Sequence, residues 1–410
     1  MKNIVIIGGG HAGVQLCGLL AEAGLGAQVH LVCAEAELPY QRPPLSKAYL
    51  KNPAEALQFF RNEAWFTDAG ITLHRADAVT RIDRATRHVH LQSGAELAYD
   101  QLVLATGGRA RRLPQLPGTL QNVAVLRNAQ EAAALREQLS QAQSLTVLGG
   151  GFIGLEVAAT ARALGLAVRV IEAAPRLLAR SVSAELSAHI LATHQAAGIE
   201  FTLNAWVGDA DHDGSRLQAL TVNGERVPVD LLLLSVGGEP DTALAQAAGL
   251  VVDNGVVVNS AMQSSDPHIL AIGDVARFPV SAQWAPAETM ARLESVQNAN
   301  DQARTAAATL QGQPAGYNAL PWFWSEQGAM RLQMAGLMPS AAAPGVSRHR
   351  RPGPTPTSFS ILHCLADRLV CVETVNAPMD HMMSRKLLEA GKHPAPALAC
   401  DPAVALKSLL

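Results

Sequence analysis

Ile4-Val5-Ile6-Ile7 is an unbroken apolar run that closes at once on Gly8-Gly9-Gly10. Such a run predicts a strand buried on both faces, here over residues 3–8, because a half-exposed strand would alternate. Apolar positions then recur at helical spacing, which predicts an amphipathic helix over Ala12–Ala23, with a further strand at Val29–Val32. The same succession returns later: a strand at Thr146–Leu148, glycines from Gly149, a helix over Ile153–Leu164 and a strand at Ala167–Ile171. The two segments are internal repeats. Gln101–Gly107 and Leu231–Gly237 are further apolar runs closing in a turn, each expected as the last strand of its own repeat. Ile269–Asp274 is expected to rejoin the first repeat. Beyond Pro314 the character changes: Pro321-Trp322-Phe323-Trp324 opens a third segment, with strand-like runs at Thr357–His363 and Arg368–Val375. Arg348–Pro354, basic and rich in proline, is expected as a loop.

The glycines give the repeats a chemical meaning. In Gly8-Gly9-Gly10-His11-Ala12-Gly13 and Gly149-Gly150-Gly151-Phe152-Ile153-Gly154, the first glycine permits a tight turn. The second of the three spaced glycines lets backbone approach a pyrophosphate, and the third lets the helix pack close on the strand. The helix N-terminus then offers free N–H groups to the phosphates. Two such loops imply two dinucleotides and electron transfer between them. An acid follows each repeat at the distance suited to a ribose hydroxyl: Glu35, 22 residues past Gly13, and Glu172. The expected fold is therefore α/β, with two Rossmann-like nucleotide-binding domains and a small α+β C-terminal domain. The expected boundaries are 1–113 with 242–318, then 114–241, then 319–410.

Composition narrows the function. A chain of 410 residues has room for two or three domains. Its formal net charge of −3 and 16% charged residues argue against a nucleic-acid binder. No apolar run approaches the roughly 20 residues of a membrane span, and the first one is too short for a signal peptide. A cytoplasmic location is expected. The cysteines, Cys17, Cys33, Cys364, Cys371 and Cys400, form no Cys-x-x-Cys pair, so neither a disulfide framework nor a redox pair is expected. There is no Gly-x-Ser-x-Gly elbow and no His-Glu-x-x-His motif.

Several residues carry alternatives. A carboxylate at Glu172 favours NADH by repelling a 2′-phosphate, although Arg176 and Arg180 stand close by. Lys47, behind Arg42-Pro43-Pro44-Leu45-Ser46, is either a fixed positive charge beside a reduced flavin or a solvated lysine on a turn. Asp274 either caps a helix or binds a ribityl hydroxyl. Glu156 is either a solvent-facing first-turn acid or faces a nicotinamide. His11 is expected to pack near the pyrophosphate, and Trp322 and Trp324 to be core or chemistry.

Taken together, the strings Arg42-Pro-Pro-Leu-Ser-Lys47, Leu102-Val-Leu-Ala-Thr-Gly-Gly108, Gly149-Gly-Gly-Phe-Ile-Gly-Leu-Glu156, Ser265-Asp-Pro-His-Ile-Leu-Ala-Ile-Gly-Asp274, Glu294–Arg304 and Pro321-Trp-Phe-Trp-Ser-Glu-Gln327 resemble the NADH-dependent ferredoxin reductases of bacterial oxygenase systems, the group that includes putidaredoxin reductase. The resemblance runs end to end and implies a glutathione-reductase-like arrangement. It implies FAD held by the loop of Gly8, Gly10, Ala12 and Gly13, by Lys47, Val79, Thr106, Gly107 and Arg127, and by Asp274 and Val296. It implies NADH on Gly149, Gly151, Phe152, Ile153 and Gly154, with Glu156 at the nicotinamide, Glu172 and Arg180 on the adenosine half, and Gly237 beneath. Lys47 would lie by flavin N5 and pair with Glu156 when NADH is absent. Trp324 would lie at the flavin edge where a [2Fe–2S] ferredoxin docks.

The implied activity is hydride transfer from NADH to FAD, then release of single electrons to a ferredoxin that feeds an oxygenase. Lys47, Glu156 and Trp324 are the implied catalytic residues. An acidic ferredoxin calls for a basic docking face, with Arg61, Arg304 and Arg331 as candidates and Arg348–Arg351 as an outlier. The chain departs from the family at Ala34, where aspartate is usual and Glu35 would have to serve, and at Glu326 and Val275. A rubredoxin reductase is a second possibility, and an NADH-sensing flavoprotein resembling apoptosis-inducing factor a third. A disulfide reductase or NADH oxidase lacks its cysteine. The protein is expected to be a monomer or homodimer.

Overall fold

The computed structural model describes residues 3–281, 283–285, 289–340 and 343–410. Two compact units form: Met1–Arg42, Leu57–Arg109 and Glu239–Phe323 make the first, and Pro43–Ala56, Ala110–Gly238 and Trp324–Leu410 the second.

The first unit is built on a parallel sheet in the order Ile269–Ala271, Gln101–Leu104, Ile4–Ile7, Val29–Val32, Thr72–His74. Ile4 pairs with both Val29 and Gln101, so the opening strand lies at the centre of the sheet. Val5, Ile6, Leu31, Leu102 and Val103 are fully buried, which is why these strands read as solid apolar runs. The His11–Glu22 helix packs against the Val296–Leu310 helix. The latter turns buried Ala299, Ala303, Ala306 and Ala307 inward, and side chains this small let two helices approach closely. Ile269–Ala271 joins the sheet edge beside Gln101–Leu104, as its apolar run suggested.

The second unit repeats the plan. Its parallel sheet runs Ile199–Thr202, Ala167–Ile171, Ser144–Leu148, Leu231–Leu234, Val123–Ala124. An antiparallel sheet of Val207–His212, Leu217–Val222 and Glu225–Pro228 packs through Leu217 and Leu220 into one core with Leu116, Leu148, Ile171 and Leu232.

The last sheet is antiparallel in the order Trp322–Gln327, Met330–Gly336, Arg368–Val375, Phe359–Leu365, Val346–Pro352, followed by the Pro378–Glu389 helix. The stretch expected as a basic loop is thus its edge strand, with Arg350 opposite Ile361 and Pro352 opposite Phe359. Arg348, Arg350 and Pro352 are exposed while Arg351 between them is buried. The alternation has period two, but it is written in charged residues and so escapes a hydrophobicity pattern. Proline is tolerated at the end of an edge strand.

Arg351 explains why a buried cation belongs there. It bonds Asp380 at 3.1 Å and donates to the carbonyl oxygens of Ala399 (3.0 Å), Asp401 (2.6 Å) and Val404 (3.0 Å). One guanidinium therefore ties the C-terminal run to the sheet. We expect Arg351→Met to cost about 3 kcal/mol, as removal of one partner from a buried pair does. A lowered thermal midpoint, with new protease cleavage in 399–404, would show it. An unchanged midpoint and cleavage pattern would contradict the assignment.

Candidate functional site

Each glycine loop can be tested by asking what a β-carbon would meet there. At Gly8, with φ +115°, it would stand 2.3 Å from the carbonyl oxygen of Ala105; at Gly13 it would stand 2.0 Å from that of Gly8. Gly149, with φ +108°, would meet the Ser235 oxygen at 2.2 Å, and Gly154 the Gly149 oxygen at 2.5 Å. The protein itself forbids side chains at these four positions. Gly10 and Gly151 differ. Nothing lies within 4 Å of a β-carbon at Gly10, and only the Ser235 oxygen, at 4.0 Å, near one at Gly151. Their φ values, −82° and −83°, suit any residue. Glycine there leaves room beside the backbone for something outside the chain, and a pyrophosphate fits that room.

The helix starts agree. The helices beginning at Ala129, Ala184 and Val296 are capped by the side chains of Asn128, Ser183 and Ser295. The helices beginning at His11 and Phe152 have no side-chain cap and no acid in the first turn. With neither in place, their positive dipole ends suit an anion.

Around the first loop, the His11 ring meets Phe60 edge-on at 4.8 Å. Gly273, with φ +76°, brings its turn so close that a β-carbon would lie 3.1 Å from that of Ala12. The Gly273 N–H donates to Gln302 Oε1 at 2.7 Å, which fixes the turn carrying Asp274. Arg292 donates to the Asp274 carbonyl oxygen at 3.2 Å. Thr106 donates through Oγ1 to the Asp241 carbonyl oxygen at 2.7 Å, and Gly107 follows with φ +69°. Val296 is the first residue of its helix, and Val79 is buried at the start of the Val79–Asp83 strand. Glu35 is already engaged: Arg42 donates to it at 2.6 Å and the Tyr40 hydroxyl also bonds it. Arg42, singled out only as part of a motif, thus orients the acid expected at the adenosine ribose.

In the second unit Glu172 accepts from the N–H of Gly150 at 2.6 Å and from that of Ala174 at 2.7 Å, so the acid buttresses the loop behind which it stands. Arg176 donates to the carbonyl oxygens of Ala179 (2.7 Å) and Val182 (2.8 Å). It serves its own loop, whereas Arg180 is exposed. Ile153 is also exposed, Phe152 is half-buried, and Gly237, with φ +108°, accepts from the Arg111 N–H at 3.0 Å. Arg127 precedes the Ala129–Gln141 helix, its N–H held by Glu131 at 2.8 Å.

Lys47 and Glu156 come together. Lys47 Nζ lies 2.8 Å from Glu156 Oε2 and also donates to the Pro43 carbonyl oxygen at 3.3 Å. Glu156 is only 6% exposed, which rules out the solvent-facing alternative. Its Oε2 also accepts from Ser46 Oγ at 2.5 Å, and its Oε1 from Ser325 Oγ at 2.7 Å. The segment carrying Lys47 is pinned by Arg136, whose guanidinium stacks 4.1 Å over Tyr49 and donates to the Glu55 carbonyl oxygen at 3.1 Å. Ser46 and Ser325 stood in the sequence only as members of motif strings, and Arg136 was not singled out at all. Small hydroxyls and a helix arginine carry no pattern until the chain folds. Trp324, half-buried, precedes Ser325 on its strand.

All five cysteines are free. Burial first, and then the Glu35 charge, pushes the Cys33 thiol up to about 12; Cys17 is raised further by burial. Neither is a thiolate near neutral pH. Among the described residues no His, Cys, Asp and Glu cluster could hold a metal, and no helix is long and apolar enough to cross a membrane. Of the docking candidates, Arg304 pairs with Asp301, Arg61 stacks on Trp65 at 5.2 Å, and Arg331 and Arg348 are exposed. Arg350 pairs with Glu185 at 2.7 Å, and the buried Arg351 is unavailable for docking.

Residues 2–303 match the family of pyridine nucleotide-disulphide oxidoreductases, and residues 322–410 match the reductase C-terminal domain. The chain belongs to the pyridine nucleotide-disulphide oxidoreductase family. It is 41% identical to rhodocoxin reductase from Rhodococcus erythropolis over 99% of this chain and 93% of that protein. Among solved structures it resembles the ferredoxin reductase for the CYP199A2 system from Rhodopseudomonas palustris, with TM-score 0.93, 40% identity, and coverage of 100% of this chain and 99% of that one. It also resembles the covalent putidaredoxin reductase–putidaredoxin complex, with TM-score 0.92, 37% identity, and coverage of 100% and 98%.

The two kinds of glycine make a sharp test. Gly10→Ala should fold normally and lose about tenfold in dinucleotide affinity, equivalent to ~1.4 kcal/mol. Gly13→Ala should destabilise the fold itself. Flavin retention and thermal midpoints separate the two; a Gly10→Ala protein with full flavin affinity would contradict the role given to that space.

Proposed function

We propose that the protein is an FAD-dependent NADH:ferredoxin oxidoreductase, passing electrons singly to a [2Fe–2S] ferredoxin that feeds an oxygenase. The observation that carries this is the doubled, uncapped glycine loop in a chain with no cysteine pair among its described residues. FAD, when bound, accepts a two-electron hydride from NADH and gives electrons up one at a time. A disulfide reductase would use a thiol pair next; here the electrons leave the protein.

The chain's own residues bind, orient and balance charge. The first loop, with Ala12, Asp274 and Val296, holds FAD, and the second, with Glu172, holds NADH. Glu172 stands where a ribose hydroxyl is recognised and a 2′-phosphate repelled. Arg176 is occupied by backbone carbonyls, which leaves the exposed Arg180 as the nearby cation; the Glu172 carboxylate supports NADH over NADPH. Glu156 faces the nicotinamide, and Lys47 supplies fixed positive charge for the reduced ring. Neither acts as a nucleophile or as an acid–base pair. Trp324 marks the exit toward the ferredoxin. Reduced cysteines and NADH as donor support a cytoplasmic location.

The direct experiment is anaerobic NADH-dependent reduction of a panel of [2Fe–2S] ferredoxins and rubredoxins. Turnover with a [2Fe–2S] ferredoxin is expected. Preferential reduction of rubredoxin would overturn the partner, and slow reduction ending in a long-lived complex would indicate a sensor. Arg304→Glu should lower kcat/KM for the ferredoxin about tenfold through lost charge complementarity and leave NADH–ferricyanide reduction unchanged. Equal loss of both rates would contradict docking at Arg304.

A further inference from the structure

Glu156 lies at the end of a buried chain of hydrogen bonds that runs away from Lys47. Ser325 Oγ lies 2.7 Å from Glu156 Oε1, Gln327 Nε2 is 3.2 Å from Ser325 Oγ, and His194 Nε2 is 2.9 Å from Gln327 Oε1. Ser325 and Gln327 are each 1% exposed and His194 3%. Buried polar groups in such a line must each find a partner, and the chemistry of the carboxylate fixes the direction of every bond. A carboxylate paired with a lysine only accepts, so Ser325 donates to it. The Ser325 oxygen then accepts, so Gln327 presents its amide NH₂ to Ser325 and its carbonyl to His194. His194 must therefore carry its hydrogen on Nε2. Burial lowers the His194 pKa from its ordinary value, which favours the neutral ring, and the Gln327 bond opposes that only in part.

We propose that Ser325, Gln327 and His194 are positioning residues that fix the Glu156 carboxylate for the nicotinamide, an inference that rests on Glu156 facing that ring. Lys47 is one of three donors to Glu156; Ser46 and Ser325 are the others. Ser46 is itself held, its carbonyl oxygen accepting from Thr160 Oγ1 at 3.1 Å. The orientation of the carboxylate therefore does not depend on the cation alone. His194 anchors the line to the Ala184–Ala196 helix, whose N-cap N–H, at Ser183, donates to Glu373 of the C-terminal sheet at 2.7 Å. The acid thereby takes its aim from the Ala184–Ala196 helix as well as from Ser46 and Lys47 of the Pro43–Ala56 segment.

The test compares two ligands on the oxidised, FAD-loaded protein: NAD⁺, and ADP-ribose, which lacks the nicotinamide. Ser325→Ala, Gln327→Met and His194→Leu cut the chain at successive points, so a folding defect in one does not end the test. Each should raise the NAD⁺ Kd about fivefold, the size expected for one hydrogen bond, with ADP-ribose unchanged. His194→Gln, which keeps a donor toward Gln327, should restore NAD⁺ binding. Parallel weakening of both ligands, or no change in either, would overturn the positioning role. Glu156→Gln is the companion measurement. If it shifts the ratio of the two affinities while the three cuts do not, the chain alone is wrong; if it also leaves the ratio unchanged, the placement of Glu156 falls and the chain's role with it.

Discussion

The structure depends on a contact that only glycine permits: the start of a helix pressed against the carbonyl oxygen that ends the preceding strand. Gly13 lies against the Gly8 oxygen, and Gly154 against the Gly149 oxygen, so closely that a β-carbon would clash with backbone. Backbone cannot yield as a flexible side chain can, so the turn is fixed. That turn aims each helix N-terminus and leaves open space at Gly10 and Gly151.

A single buried acid gathers polar contacts in the second unit. Glu156 is held by one cation and two hydroxyls from two separate stretches of chain besides its own helix: Ser46 and Lys47 adjoin one another, and Ser325 arrives on the last sheet. A buried charge is tolerated only when paired and fully hydrogen-bonded. Cys17 and Cys33 are buried thiols raised well above neutrality.

Much of this was legible in the chain because it is written in glycine and apolar runs. Val29–Val32 and Ala167–Ile171 have the bounds their pattern gives, and the two helices begin one residue early, at His11 and Phe152. Ile269–Ala271 could be returned to the first sheet by its run of apolar residues. Polar structure was hidden. Val346–Pro352 is a strand whose alternation is carried by arginines, with Arg351 inward. Ser46, Ser325, Gln327 and His194 are ordinary polar residues until folding brings them into one line. Arg42 was visible as part of a string, but its hold on Glu35 required coordinates.

The proposed function requires that the flavin be the protein's sole redox store and that its electrons pass outward. Anaerobic titration of the FAD-loaded protein with NADH, followed by flavin absorbance and free-thiol count, tests this most directly. Complete flavin bleaching at a single equivalent of NADH per FAD is expected, with no change in thiols. Uptake of a second equivalent with the appearance of new thiols would contradict it.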